Sequence, residues 1–123
     1  MKLHLSRAEG AHQITGYGPD FVAVNGMRYE HSLVVTADTI LTDWTVGSIT
    51  ELTAPHIARL ATLQPEVVLI GTGSRTRFPS PPVLRPLIDD RIGYEIMDTG
   101  AACRTFGVLS AEGRRVLAAL VLA

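Results

Sequence analysis

The segment with the strongest chemical potential is Gly71-Thr72-Gly73-Ser74-Arg75, which directly follows the apolar run Val67-Val68-Leu69-Ile70. A glycine-rich turn at the C-terminal end of a strand lets backbone N–H groups converge on an anion, and ligands of open α/β sheets bind in that region. The pattern has no Gly-Lys-Ser/Thr and therefore is no P-loop; it also lacks the third glycine of a dinucleotide fingerprint. Pro81 and Pro82, just after Ser80, remove two N–H donors that a phosphate at the next helix would use. The turn reads first as a tight strand-to-helix connection. Its second reading is a cradle for a small anion, with Arg75 and Arg77 supplying charge.

A second Gly/Thr-rich turn lies in Asp98-Thr99-Gly100-Ala101-Ala102-Cys103-Arg104-Thr105. If the two strand ends are neighbours, Gly71, Thr72, Gly73, Ser74, Arg75, Arg77, Asp98, Thr99 and Arg104 form one candidate anion- or ligand-binding set. Strand-end crevices favour such ligands. Cys103 falls about one turn inside a helix starting at Thr99, beside Arg104, and both features favour thiolate. The flanking Ala101, Ala102 and Phe106 favour close packing instead, so a buried, unreactive thiol is expected.

Other chemistries are not supported. His4, His12, His31 and His56 share no ligand spacing, and a lone cysteine cannot anchor a thiolate zinc site, so no metal is expected. No Gly-x-Ser-x-Gly elbow exposes a serine. Phe21, Tyr29, Trp44 and Tyr94 are scattered through strand-like segments without interleaved arginine, which argues against a nucleic-acid platform. No catalytic residue and no cofactor is expected, and the chain leans away from an enzyme.

These candidates have to be positioned by a small core. Of the 123 residues, 46% are hydrophobic and 19% charged, which excludes a disordered chain. The net charge of -1 gives no overall field toward nucleic acid or anionic lipid. It hides two unequal halves, because seven of the ten arginines lie between Arg75 and Arg115. That segment carries a small positive excess and the first 74 residues a negative one. The expectation is one domain over residues 1–123, large enough to need no disulfide or structural metal. The apolar runs Val67 to Ser74 and Val116 to Ala123 are too short to cross a bilayer. With no secretory signal behind Met1-Lys2 and a single cysteine, a cytoplasmic location is expected.

Along the chain, Phe21–Val24, the Asn25-Gly26 turn and Met27 to Thr36 read as a hairpin. Thr39 to Trp44 reads as a further strand. A helix fits Ala54 to Leu63, capped by Thr53 with Pro55 in its first turn, burying Ile57, Leu60, Ala61 and Leu63. Glu66 to Ile70 suits a strand buried on both faces. Ser80 caps the next helix, with Val83, Leu84, Leu87 and Ile88 toward the core, and Tyr94 to Met97 is a strand. Two helices are expected to close the chain, one from Thr99 to Leu109 and one capped by Ser110 over Ala111 to Leu120. The second would place Gly113 in a helix interior, at a cost of about 1 kcal/mol. It would also leave an apolar tail, Val116 to Ala123, that suggests self-association. The order predicts an α/β fold with helices packed on a mixed sheet.

Several of these segments together resemble a known family. They are Val24-Asn25-Gly26 with Tyr29 and Ser32, Trp44, Pro65-Glu66-Val67-Val68-Leu69-Ile70-Gly71-Thr72-Gly73, Met97 to Thr105, and Glu112-Gly113-Arg114-Arg115-Val116. In this order they resemble the domain-of-unknown-function family that includes mitochondrial complex I assembly factor 3 and a small adipogenesis-associated cytoplasmic protein. Gly107 departs from the pattern, since the family usually shows Asn after the aromatic position that Phe106 fills. The resemblance implies a three-layer α/β single domain with a central mixed β-sheet, an N-terminal β-hairpin and packed helices. It implies no reaction. It does imply an assembly or maturation accessory whose partners are other proteins.

Overall fold

The computed structural model describes residues 11–122. A three-stranded antiparallel sheet, β1 (Ile14–Gly18), β2 (Phe21–Val24) and β3 (Met27–Tyr29), comes first. A five-stranded mixed sheet follows, built from β4 (Leu33–Val35), β5 (Ile40–Leu41), β6 (Val67–Gly71), β7 (Gly93–Met97) and β8 (Val116–Leu120) in the order β5-β4-β8-β6-β7. Three α-helices are found among the described residues: α1 (Ala54–Ala61), α2 (Pro81–Asp89) and α3 (Thr99–Ala111). β6 runs parallel to both β7 and β8, whereas β4 is antiparallel to β8 and β5.

Side chains of a strand alternate between faces, and here both faces of the central strands are buried. Val68, Ile70, Leu117, Ala119 and Val34 join Trp44, Ile57, Leu60, Leu84 and Leu87 in a core under α1 and α2. Val67, Leu69, Val116, Ala118, Leu120, Leu33 and Val35 face the opposite way, onto Ala102, Cys103 and Phe106 of α3 and onto Val22 and Val24 of the small sheet. The layers are therefore α1 and α2, the five-stranded sheet, and α3 with the small sheet. This is the expected α/β arrangement with a central mixed sheet.

Local expectations hold in most elements. Asn25 (φ 51°) and Gly26 (φ 84°) take the two positive-φ positions of a type I′ hairpin turn. Thr53 caps α1 in a capping box in which His56 Nδ1 accepts from the Thr53 N–H at 3.1 Å. α2 starts at Pro81, directly after Ser80, and buries Leu84 and Leu87. Ile88 is exposed, contrary to expectation, as is Leu63 beyond the end of α1.

Three expectations are corrected. The return arm of the hairpin stops at Tyr29, and Leu33–Val35 belongs to the other sheet. Leu33, Val34 and Val35 are all buried, so they cannot sit in a ribbon with a solvent face. Between Thr39 and Trp44 only Ile40–Leu41 is strand, because Trp44 leaves the sheet to pack under α1, its Nε1–H donating to the His56 carbonyl at 3.2 Å. The largest correction concerns the last element: residues 116–120 form a strand, not a helix. α3 ends at Ala111 in a Schellman motif, with the Gly113 N–H donating to Ser110 O at 2.9 Å and the Arg114 N–H to Leu109 O at 3.2 Å. Gly113 has φ 82° and reverses the chain rather than continuing the helix. The apolar run after it becomes β8, buried between β4 and β6, which removes the exposed tail.

Candidate functional site

The in-register pairing of Gly71 with Met97 and of Gly71 with Leu120 brings three strand ends to one place. Two threonines knit them together. Thr99 Oγ1 accepts from the Gly73 N–H at 2.8 Å and donates to the Val121 carbonyl at 2.7 Å. Thr72 Oγ1 donates to the Arg75 carbonyl at 2.7 Å, lies 3.1 Å from Met97 O and accepts from the Arg77 N–H at 3.1 Å. The backbone adds Thr72 N–H to Met97 O (2.8 Å), Thr99 N–H to Gly73 O (2.9 Å) and Val121 N–H to Gly71 O (2.9 Å). Both threonines are buried. Gly71 allows the approach: a Cβ there would stand 3.0 Å from Thr99 Cα and Oγ1 and 3.2 Å from Ala102 Cβ.

Of the candidate set, Gly71, Thr72, Gly73, Asp98 and Thr99 therefore come together. Gly73 and Thr99 bond to each other, and the remaining polar atoms bond to backbone groups of Arg75, Arg77, Met97, Ala101 and Val121. Asp98 Oδ1 accepts from the Ala101 N–H at 2.8 Å, so the α3 N-terminus already holds a carboxylate of its own chain. Arg75 and Arg77 join this knot only through their backbone, and the side chains of Ser74, Arg75 and Arg77 are exposed on the loop that leads to α2. Arg75 and Arg77 have no carboxylate within 4.0 Å among the described residues. Phe78, next along the loop, is 77% exposed.

Arg104 turns to the small sheet. Its Nη1 donates to Tyr17 Oη at 2.6 Å, and that bond, more than any other influence, raises the guanidinium pKa further above its ordinary value. One helical turn earlier, Gly100 leaves room for the Tyr17 ring, since a Cβ would lie 3.1 Å from Tyr17 Cε1. Cys103 is buried, and desolvation pushes its thiol up to about 12 despite the opposing pull of Arg104. It is a neutral packing residue near neutral pH. No group of three or more His, Cys, Asp or Glu able to hold a metal occurs among the described residues.

Some important residues are invisible to motif reading. Buried Ser32 donates to the Val46 carbonyl at 2.5 Å and accepts from the Leu122 N–H at 2.9 Å, tying the β3–β4 link to the end of β8. A cleft of about 450 Å³ opens beside it, lined by Glu30, His31, Trp44, Gly47 and Glu51 among others. At the opposite end of the sheet Glu66 accepts from the Arg114 Nε–H at 3.2 Å and the Arg115 N–H at 3.3 Å. The quoted family segments contain Ser32, Glu66, Arg114 and Arg115, but give no hint of these roles.

With the geometry in view, the comparisons with known proteins fall into line. The profile of a family described as "Protein of unknown function (DUF498/DUF598)" matches residues 14–121. A Bos taurus protein called NADH dehydrogenase [ubiquinone] 1 alpha subcomplex assembly factor 3 is 36% identical over 110 residues, covering 88% of this chain and 59% of that protein. The chain thus spans about three-fifths of that relative's length. A crystallised Bordetella parapertussis protein superposes with a TM-score of 0.87 at 37% identity, covering 93% of this chain and 98% of the other. A Bordetella pertussis solution structure described as a Mth938-like domain gives 0.80 at 32% identity, over 90% and 85% of the two chains.

Proposed function

The chain belongs to the DUF498/DUF598 family, and on that premise we propose that it is a non-enzymatic accessory that binds other proteins during assembly or maturation of a larger complex. One observation carries the reading: 36% identity, over 88% of this chain, to a relative called a complex I assembly factor. Two features of the site support it. The polar atoms of the Gly71–Thr72–Gly73 turn are bonded within the chain, and Asp98 caps α3. Nearby, the side chains of Arg75, Arg77 and the 77%-exposed Phe78 are exposed on one loop. Arginine and aromatic residues dominate the energetics of protein contacts. The loop is the surface that does the work under this reading. Affinity isolation of the tagged chain at native expression level tests it. A stoichiometric second protein is expected, and reproducible recovery of the chain without one counts against the proposal.

Arg75 and Arg77, with no carboxylate within 4.0 Å among the described residues, favour a second reading, a small anionic ligand held by the set Gly71, Thr72, Gly73, Ser74, Arg75, Arg77, Asp98, Thr99 and Arg104. Thermal melting with inorganic phosphate, nucleotides and sugar phosphates separates the two readings. A rise in Tm at millimolar ligand that Arg75→Ala and Arg77→Ala abolish supports the second; a flat response leaves the first.

A further inference from the structure

The five-stranded sheet has two edges of different character. β5 is only two residues long, and Asp38 and Asp43 lie close to its ends. Short edges with flanking charge resist pairing with another chain. β7 is five residues long, holds neither proline nor lysine, pairs with β6 without a bulge and has no strand on its other side among the described residues. The backbone direction along it is known. Met97 O accepts from the Thr72 N–H on the β6 side, so by alternation Gly93, Glu95 and Met97 bond toward β6. The N–H and C=O groups of Tyr94 and Ile96 consequently point outward.

We propose that β7 is the contact between two copies of this chain, paired antiparallel about a twofold axis at Tyr94, so that the two sheets become one. A twofold perpendicular to a sheet requires each residue to face one of like parity, which restricts the centre to a single residue. Centring on Glu95 would set two carboxylates directly opposite each other, a destabilising pair. Centring on Ile96 would draw Asp98, the α3 cap, into the ladder. Centring on Tyr94 avoids both. The two Tyr94 residues exchange N–H···O bonds, and each Ile96 N–H meets the Ile92 carbonyl of the second copy. The Ile92 N–H is already engaged, donating to Leu87 O at 2.9 Å.

The side chains agree with this register. Ile96 packs into the core under α1 and α2, so Tyr94, two residues earlier, shares that face. Tyr94 is 36% exposed and Ile88 of α2, in the layer covering that face, 43%. Pairing at Tyr94 covers this apolar edge. On the other face Glu95 stands opposite Gly93 of the second copy, with Arg91 of that copy next along. Neither Arg91 nor Glu95 has an ion-pair partner among the described residues, so the two ends of the strand complement each other across the axis. This contact is independent of the assembly role and can exist without any other protein.

Sedimentation of the purified chain from micromolar to hundreds of micromolar tests the proposal. The wild type is expected at twice the mass of one chain at the upper end. Tyr94→Lys places two ammonium groups at the axis and is expected to weaken the dimer about tenfold or more. Arg91→Glu is expected to weaken it less, and Arg91→Glu with Glu95→Arg to restore it. Amide hydrogen exchange of the wild type provides a readout that does not depend on any variant folding: protection at Tyr94 and Ile96 should rise with concentration. A monomer throughout the range, a dimer indifferent to Tyr94→Lys, or concentration-independent fast exchange at those two amides would overturn it.

Discussion

The two ends of β6 are fastened by different chemistry. At its N-terminal end Glu66 bridges to Arg114 and the Arg115 N–H, and the participating side chains are nearly half exposed. At its C-terminal end the fastening is neutral and buried, through the hydroxyls of Thr72 and Thr99. Exposed ion pairs contribute little and weaken with salt, whereas a buried hydrogen-bonding group left without its partner is costly. The buried end therefore needs its residues in place, and the exposed end tolerates change. The difference also explains how the side chains of Arg75–Phe78 can stay exposed beside the buried base: Thr72 bonds the loop through the backbone of Arg75 and Arg77 and asks nothing of its side chains.

The largest expected effect falls on the buried end. Thr99→Val keeps the shape but strands the Gly73 N–H and the Val121 carbonyl, and should cost about 3 kcal/mol in denaturant unfolding. Next comes Gly71→Ala, whose methyl would press on Thr99 and Ala102, with an expected loss of about 2 kcal/mol. A control between the two ends has the opposite sign. A Cβ at Gly107, on the exposed face of α3, meets nothing within 4 Å, so Gly107→Ala should stabilise by about 0.5–1 kcal/mol. The exposed end responds least at neutral pH and shows itself instead in acid. The Arg115 N–H, helped by Arg114, holds the folded Glu66 carboxyl below its ordinary pKa. Its contribution is thus present above the unfolded carboxylate pKa and lost as pH falls through the lower folded value. Glu66→Gln should flatten that part of the stability–pH curve by slightly lowering the neutral Tm while leaving the acid value as in the wild type.

How much of this could be read in advance depended on the kind of signal each element carries. The buried strand β6, the α1 cap at Thr53 and the Asn25-Gly26 turn announce themselves through local chemistry. β8 did not, because Val116-Leu117-Ala118-Ala119-Leu120 is apolar without alternation and fits a buried strand or a buried helix equally well. The deciding signal was Gly113, which reads as a helix end once its position after α3 is considered. The adjacency of the two Gly/Thr turns was legible as a condition, that β6 and β7 be neighbours, and the parallel register meets it. Where the hydroxyls of Thr72 and Thr99 would be directed was not legible. Two of their partners, Val121 and Met97, lie more than twenty residues away along the chain. Arg104 likewise finds Tyr17 across 87 positions, a contact that no local pattern encodes.

The central claim is that the glycine turns form a structural joint while the loop beyond them makes the functional contact. Affinity isolation at native expression level, comparing the wild type with Arg77→Glu/Phe78→Ala, tests it most directly. The account predicts a stoichiometric partner with the wild type and its loss with the double variant, at an unchanged Tm. The same partner retained in full by the double variant would contradict it.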